Sequence, residues 1–434
     1  MVAWKASTPR VAIVAGARTP FVKMGGSLRA AHVADLAKVA FQETLYRACW
    51  PSDRLDEVIL GNVVMPADAA NPARVSALWA GVPSRVPAMT VQRNCASGME
   101  AIADAAARIR AGQGRAILAG GVESMSTIPL LFPSESVEPF SRLRKARTIL
   151  QRAAVMATLR PRHFRPVAAL ECGLTDPTCG LIMGKTAEIL AHEFGISRRE
   201  QDEFALRSHQ RAAAAITAGR FKEETVPVYA GDGLEPVTAD VGPRANQTLD
   251  ALAKLAPIFD RRDGTVTVGN SCQLTDGAAA VLAMDADVAK AEGLEPLGYV
   301  RAYAYAGLEA ARMGLGPVFA IDQLLRTSGL TLHDVPLFEI NEAFAAQVLA
   351  CVKAMSSAKF AQEHLHRTES LGEIHPECLN VNGGAIAVGH PVGATGARLV
   401  LASLQEMRRR AADLAITALC VGGGQGAAML LERR

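Results

Sequence analysis

The chain has 434 residues, of which half are apolar, 5% are aromatic and 37 are glycine. This length exceeds what one simple hydrophobic core serves, so we expect two or three packed units. The 46 basic and 43 acidic residues leave a net charge of +3, so no global field requires a nucleic acid or a membrane as partner.

The eight cysteines show neither the paired spacing of a metal site nor a dense disulfide framework. The first ten residues lack a long apolar segment, and the apolar run at 11–15 is far too short for a signal peptide or a membrane span. We therefore expect a soluble protein of a reducing compartment, the cytoplasm, with no metal site.

Strands and helices alternate in the first quarter of the chain. Residues 11–15 and 116–121 read as buried strands, 55–64 as a strand that runs into a loop, and 31–47 as a helix. This alternation predicts an α/β fold with a parallel sheet and helices on its faces.

Cys95 precedes a run of apolar residues at three- and four-residue spacing, which predicts a helix that ends near Arg110. The thiol would lie at or just before the helix N-terminus, where unpaired backbone N–H groups lower its pKa and make it a nucleophile. A buried structural cysteine is the commoner explanation of such a stretch.

The pattern becomes helical and loop-rich over 125–263, which we interpret as an inserted domain. Apolar helix faces persist at 186–194 and 201–219, and strands return at 265–268 and 278–284. A basic run at 142–147 is by default a solvated helix face, with CoA phosphate, a partner subunit or acidic lipid as alternatives.

The order of strands, helices and turns seen in the first part of the chain recurs after residue 297. Helix 320–328 precedes a strand at 335–342, a turn at 389–396 opens helix 397–409, and strand 415–419 ends at glycines 422–424. The recurrence predicts an internal duplication, with residues 1–124 and 264–296 as one half and 297–434 as the other.

Duplication would bring equivalent turns of the two halves together at the carboxyl ends of strands, where open α/β sheets bind ligands. Cys95, Asn341, His390 and Cys420 would then supply a nucleophile, a base and an acid/base. Glycines 422–424 would let backbone N–H groups form an oxyanion hole. Taken singly, His390 also fits a loop histidine and Cys420 a core cysteine.

Five ordered sequence blocks resemble the thiolase family over nearly the whole chain. They are NCASG at 94–98, GNS at 269–271 with TDGAA at 275–279, NEAFA at 341–345, NGGAIAVGHP at 382–391 and CVGGG at 420–424. The resemblance implies a five-layered α/β/α/β/α fold of two similar halves, with a loop domain inserted in the first.

The resemblance also implies roles for the predicted cluster. His390 would take the proton from Cys95, whose thiolate attacks an acyl-CoA thioester. Cys420, as an acid/base of pKa about 8, would exchange a proton at the α-carbon. Asn341, holding a water, and His390 would stabilise the enolate oxygen, while the backbone N–H groups of Cys95 and Gly422 would hold the tetrahedral oxyanion.

Substrate contacts follow less directly from the resemblance. The positions that match contacts to the acyl chain or CoA in the family are Met183, Arg244, Cys272, Ala343 and Phe344. The family often has Ser at the position of Cys272 and His at that of Ile182. Coenzyme A enters as a substrate, and no bound cofactor is expected.

The implied activity is that of an acetyl-CoA C-acyltransferase, which cleaves 3-ketoacyl-CoA with CoA or runs the reverse condensation. A short-chain acetoacetyl-CoA-forming enzyme and a non-catalytic acyl-CoA-binding protein are the alternatives. The family suggests a homodimer or a dimer of dimers. In length, the insertion is similar to that of the thiolase subunit of the fatty-acid β-oxidation complex. This similarity implies a partner subunit. Such subunits, however, commonly carry His at the position of Asn341.

Overall fold

The computed structural model describes residues 9–230 and 235–434. Its strands are β1 (Val11–Arg18), β2 (Val22–Lys23), β3 (Glu57–Gly61), β4 (Ala88–Val91), β5 (Ala116–Glu123), β6 (Leu130–Leu131), β7 (Val167–Ala168), β8 (Thr275–Asp285), β9 (Gly298–Gly307), β10 (Phe338–Ile340), β11 (Leu414–Val421) and β12 (Gln425–Glu432). Its α-helices are α1 (Val33–Arg47), α2 (Pro72–Trp79), α3 (Ser97–Arg110), α4 (Val137–Lys145), α5 (Ile149–Met156), α6 (Ala169–Gly173), α7 (Met183–Glu193), α8 (Arg198–Thr217), α9 (Leu249–Ala253), α10 (Ala286–Ala291), α11 (Gly316–Ser328), α12 (Ala345–Ser356), α13 (Ala358–His364), α14 (Ala385–Val388) and α15 (Val392–Arg410). None of the helices in the described ranges is both long and apolar enough to span a bilayer.

The main sheet repeats one pairing pattern in its two halves. The strand order is β4-β3-β5-β8-β1-β9-β12-β11-β10, with β2 paired to β8. In the first half β3 and β5 are parallel while β8 and β1 follow antiparallel, and in the second β10 and β11 are parallel while β12 and β9 follow antiparallel. A short antiparallel pairing of β1 with β9 joins the halves. This repeat confirms the predicted similarity of the two halves.

Strand direction is where the sequence-based prediction is wrong, because the sheet is mixed rather than parallel. β11 and β12 form a hairpin across the glycines that follow Val421, and β8 lies antiparallel between β5 and β1. The predicted strand at 265–268, which lies within the described residues, is not formed. The Glu188 carboxylate accepts hydrogen bonds from the backbone N–H groups of Thr265 and Val266 at 2.8 and 2.9 Å. A side chain therefore supplies the acceptors that a partner strand would otherwise provide.

Helices and strands stack in five layers, as the resemblance implies. Alternate residues of β1 face opposite sides, so that Ile13 packs towards α3 and α15 while Ala12 packs towards α1. In the second half Leu419 faces the same central helices, whereas Ile416 faces the outer helices α11 and α12. The order is therefore outer helices, first-half strands, α3 with α15, second-half strands and outer helices.

The central layer requires close backbone contact at the N-terminus of α15. A Cβ atom on Gly121 in β5 would lie 1.9 Å from the carbonyl oxygen of Gly393, and one on Gly98 in α3 would lie 2.7 Å from the same oxygen. Because real Cβ atoms do not come that close to a backbone oxygen, the packing requires glycine at both positions.

The segment between β5 and β8 is tied to the first half by a buried ion-pair cluster. The guanidinium of Arg18 in β1 contacts the carboxylates of Glu224 and Asp240 at 2.6 and 2.7 Å. Burial opposes its charge, but the two carboxylates raise the pKa of Arg18 above its usual value. Removing one member of such a buried cluster leaves an uncompensated charge, so the cluster fixes how this segment sits on the sheet.

Replacement of Gly121 by Ala is expected to lower the free energy of unfolding by about 3 kcal/mol or more, because the added methyl group meets the backbone of Gly393. Gly307→Ala in β9 is the matched control, since a methyl group on Gly307 would meet no heavy atom within 4 Å beyond the adjacent residues. Urea unfolding of the variants measures both effects. Equal stability of Gly121→Ala and the wild type would show that the central layer tolerates expansion.

Candidate active site

The turn that carries Cys95 lies between β4 and α3. Ala96 is the N-cap of α3, and the helix begins at Ser97, so the prediction that Cys95 just precedes a helix is confirmed. Asn94 adopts the left-handed conformation with a φ of 42°. Its side-chain amide donates a hydrogen bond of 2.9 Å to the carbonyl oxygen of Gly422. The nucleophile turn of the first half is thereby joined to the glycine loop of the second.

The environment of the Cys95 thiol differs from the expectation. Burial raises its pKa, and the backbone N–H groups of Gly422 and of Cys95 itself only partly oppose this effect, while the nearby Glu123 adds to it. The prediction of a lowered pKa was wrong because desolvation of the thiolate outweighs the donors at the helix N-terminus. A protonated thiol needs a base before it can attack.

His390 has the tautomer that such a base requires. The hydroxyl of Thr395 donates to the carbonyl oxygen of Pro391 at 3.0 Å, so it accepts the Nδ1–H of His390 at 2.6 Å. The other ring nitrogen, Nε2, lies 3.4 Å from the side-chain nitrogen of Asn341. Burial, with the charge of Arg398 as a smaller cause, lowers the pKa of His390 to about 3. The imidazole is therefore neutral, with the Nε2 lone pair directed away from Thr395.

Asn341 reaches this position because β10 is parallel to β11. Its backbone N–H donates to the carbonyl oxygen of Ala418 at 2.9 Å, and Cys420 lies two residues further along β11. The side-chain Oδ1 of Asn341 is buried and has no hydrogen-bond partner among the described residues. A buried acceptor of this kind fits a water or a substrate donor.

Two further thiols, those of Cys420 and Cys272, lie close enough to Cys95 to be affected by its charge. Burial raises the pKa of Cys420 well above its usual value, and charge on Cys95 raises it further. The same two causes, in the same order, raise the pKa of Cys272 to about 12. The expected pKa near 8 for Cys420 was therefore wrong, since the site is drier than a helix terminus or loop at the surface. Cys420 is therefore held protonated.

Most of the predicted substrate contacts lie near Gly422 or Cys272. A methyl group on Gly422 would lie 3.5 Å from the sulfur of Met183, so the two adjoin. The backbone of Cys272 donates to the carbonyl oxygen of Ala343 at 3.0 Å. The buried Phe344 ring stands 6.0 Å from that of Phe259, edge to face.

Arg244 lies apart from this group. It is exposed, and its backbone N–H donates to the ring of His209 at 3.3 Å. The contacts of the described residues do not join it to the thiols, so its role in binding CoA stays a prediction.

Glu123 is the site residue that the sequence analysis missed. Its carboxylate is fully buried and accepts four hydrogen bonds of 3.0 to 3.1 Å, from the side chain of Asn62 and the backbones of Val63, Val64 and Gly393. Burial raises its pKa to about 7, although these donors act in the opposite direction. The bond to Gly393 anchors the helix that follows His390. A Glu at the end of a buried strand, two residues after the pair Gly120-Gly121, is the signal that could have found it.

Inactivation of the free protein by iodoacetamide is expected to accelerate about tenfold per pH unit between pH 6 and 8. The thiolate fraction rises in that way when the pKa of the reacting thiol lies above the pH, and burial raises the pKa of Cys95. Mass spectrometry of the peptide that contains Cys95 measures the rate, with exposed Cys172 as an internal comparison. A rate that levels off below pH 7 would reveal a preformed thiolate.

The chain matches two family models in succession. A model described as the thiolase N-terminal domain covers residues 11–287, and one described as the thiolase C-terminal domain covers residues 294–433. The 3-ketoacyl-CoA thiolase of Pseudoalteromonas translucida is 42% identical over 424 residues, and that of Yersinia enterocolitica is 41% identical. Each of these alignments spans 98% of this chain and 97% of the relative.

Solved structures agree with these matches. The acetyl-CoA acetyltransferase of Bacillus anthracis superposes with a TM-score of 0.87 at 37% identity, over 99% of this chain and 100% of the other. Human mitochondrial 3-ketoacyl-CoA thiolase in complex with CoA superposes with a TM-score of 0.84 at 34% identity, over 98% of each chain. The chain belongs to the thiolase family.

Proposed function

We propose that this thiolase cleaves 3-ketoacyl-CoA with CoA, or runs the reverse condensation, through an acyl-Cys95 intermediate. The observation that carries the proposal is the neutral His390, whose Nδ1–H is held by Thr395 and whose Nε2 lies 3.4 Å from the side-chain nitrogen of Asn341. The names of the bacterial relatives and the human relative crystallised with CoA support the choice of substrate.

In the cleavage direction His390 Nε2 accepts the proton of Cys95 as the sulfur attacks the 3-keto carbon. The bond between C2 and C3 then breaks, and its electrons leave as the enolate of acetyl-CoA. Cys420 supplies the proton that converts this enolate to acetyl-CoA, a role that suits a thiol held protonated by burial. The CoA thiol then gives its proton to the Cys420 thiolate and attacks acyl-Cys95. The shortened acyl-CoA leaves as the bond to the Cys95 sulfur breaks, and His390 returns its proton to that sulfur, which restores both cysteines.

Two oxyanions form during this sequence and need separate donors. The backbone N–H of Gly422 is directed at the Cys95 sulfur, so with the N–H of Cys95 it can stabilise the tetrahedral oxygen. Asn341 and His390 would stabilise the enolate oxygen, with the unpaired Oδ1 of Asn341 free to hold a water. Thioesters need no metal for these steps when such donors are in place.

The proposed substrate contacts rest on the family resemblance, and the positions of Met183 and Phe344 support two of them. Met183 and Phe344 supply apolar surface near Gly422 and Cys272, which suits the acyl chain or the pantetheine arm. Exposed Arg244 would contact the CoA phosphates, which are anionic and solvated.

A short-chain acetoacetyl-CoA-forming enzyme is the second candidate. The acetyl-CoA acetyltransferase of Bacillus anthracis, with the TM-score of 0.87, favours it. Both candidates use the same acyl-cysteine chemistry, and they differ in the acyl chain that the pocket accepts. The non-catalytic alternative predicts loss of a reacting residue, whereas Cys95, Asn341, His390 and Cys420 are all present.

CoA-dependent loss of 3-ketohexadecanoyl-CoA and of acetoacetyl-CoA tests these proposals. We expect the wild type to cleave the long substrate and Cys95→Ala to lose activity at least about a thousandfold, because the acyl-Cys95 intermediate can no longer form. Cys172→Ala, at an exposed cysteine, is the control and keeps full activity. Turnover of acetoacetyl-CoA alone would favour the short-chain enzyme. If the folded wild-type protein cleaved neither substrate, the result would favour the alternative of a non-catalytic protein that binds acyl-CoA.

We also propose a cytoplasmic homodimer. β4 ends the sheet, and all four of its residues are partly exposed, whereas at the other end β10 is covered by Leu379 and Asn380. Apolar Leu78 and Trp79 of α2 are exposed beside this edge. An uncovered strand edge next to apolar side chains is a surface that oligomers bury. A partner subunit from a β-oxidation complex stays a prediction from the family resemblance.

Sedimentation at micromolar concentration is expected to give a mass of about twice 45.8 kDa. Trp79→Glu with Leu78→Glu would shift the protein towards the monomer, because charges would replace apolar side chains in the interface. Tyr46→Glu, at an exposed residue of α1, is the control and leaves the mass unchanged. A monomeric wild type, or a dimer that the α2 variant does not disturb, contradicts the placement of the interface.

A further inference from the structure

Residues 130–165 form a surface that combines exposed apolar side chains with a strong positive charge, and we call it the basic apolar surface. It comprises β6, α4, α5 and the loops around them. Among the described residues it contributes eight of the eighteen large apolar side chains that are exposed: Leu130, Leu131, Phe132, Val137, Ile149, Leu150, Met156 and Phe164. Single exposed apolar residues need no explanation, whereas a concentration of this kind indicates a binding surface.

The charge of this surface is largely uncompensated. Residues 130–165 contain eight Arg and Lys residues but only two Glu residues, a net charge of +6 that exceeds the +3 of the whole chain. The rest of the protein is therefore slightly acidic. Only the guanidinium of Arg162 forms a salt bridge in the described structure, with Glu135 at 3.0 Å. The other basic side chains form no ion pair among the described residues, and only Arg152 among them donates a side-chain hydrogen bond there, to the carbonyl oxygen of Ala146 at 3.4 Å. Their charge is therefore available to an external anionic surface.

Helix α5 has almost no support from the protein. Of its eight residues only Val155 is buried, and Ile149 and Leu150 are 86% and 83% exposed. A capping box of Thr148 and Gln151 closes its first turn. Because so short a helix is marginal in water without an apolar partner, its exposed side chains indicate that something outside the described chain packs against them.

We propose that the basic apolar surface binds the face of a lipid bilayer that contains anionic phospholipids. The apolar tips would enter the layer between headgroups and acyl chains, while Arg and Lys contact lipid phosphates. Basic and apolar residues alternate along this one segment, as they do in interfacial membrane helices. The buried centre of a protein interface is instead depleted of charge. The helices lie on the bilayer rather than across it, and the proposal does not depend on acyl transfer.

Flotation of the full-length protein with lipid vesicles tests the proposal. We expect binding to vesicles of phosphatidylcholine with about 30% phosphatidylglycerol to be at least about tenfold tighter than to pure phosphatidylcholine, and to weaken in about 0.5 M salt. Arg144→Gln with Arg147→Gln should weaken binding about thirtyfold, from the loss of two basic residues near the membrane. Ile149→Ser with Leu150→Ser should weaken it about tenfold through lost apolar insertion.

Matched controls separate this surface from general effects of charge and apolarity. Lys290→Gln with Lys359→Gln removes the same charge from exposed sites elsewhere, and Tyr46→Ser with Tyr229→Ser removes exposed side chains elsewhere. Both controls should bind like the wild type. The midpoint of urea unfolding should be unchanged in every variant, which shows that each one folds.

Three results would overturn the proposal. They are absence of vesicle binding, equal binding to neutral and anionic vesicles, and equal losses in the control variants. A second protein that copurifies with the wild type but not with the variants at 144, 147, 149 and 150, in the absence of vesicle binding, would show that this surface is a protein interface.

Discussion

The structure depends on the approach of the first turn of α15 to the backbones of β5 and α3. Gly98 and Gly121 provide the space for the carbonyl of Gly393, and the carboxylate of Glu123 accepts the N–H of the same residue. This contact fixes the turn of His390, from the second half, against the strand end and helix of the first. The two halves of the duplicated fold are held together there because their backbones meet without intervening side chains.

Burial then sets the chemistry of the pocket. The low dielectric keeps the thiols of Cys95 and Cys420 protonated and the imidazole of His390 neutral, since it raises the pKa of both thiols and lowers the pKa of the imidazole. Such a site holds little charge at rest, so charge appears only as the thiolate and the oxyanions form, next to donors already in position. The hydroxyl of Thr395 is essential to this arrangement, because it fixes which nitrogen of His390 bears the proton.

Local patterns predicted the parts of the fold that local burial determines. The helix that follows Cys95, the helices of the insertion and the similarity of the halves are present, because periodicity reports which side of an element is buried. Strand direction depends on partners far along the chain, so the mixed sheet was not predicted. The pKa of Cys95 was predicted in the wrong direction because desolvation depends on every layer that covers the thiol. Glu123 was missed since its donors come from two distant segments, residues 62–64 and Gly393.

The insertion enters and leaves the first half at neighbouring points. β5 ends at Glu123, which pairs with Gly277 near the start of β8, and the Asp276 carboxylate accepts the backbone N–H of Ser126 at 2.8 Å. The loop is therefore closed by the sheet itself, and the entropy of closure grows only slowly with the number of residues between the two strands. The segment between these two strands can therefore lengthen or shorten while the pairing of β5 with β8 is retained.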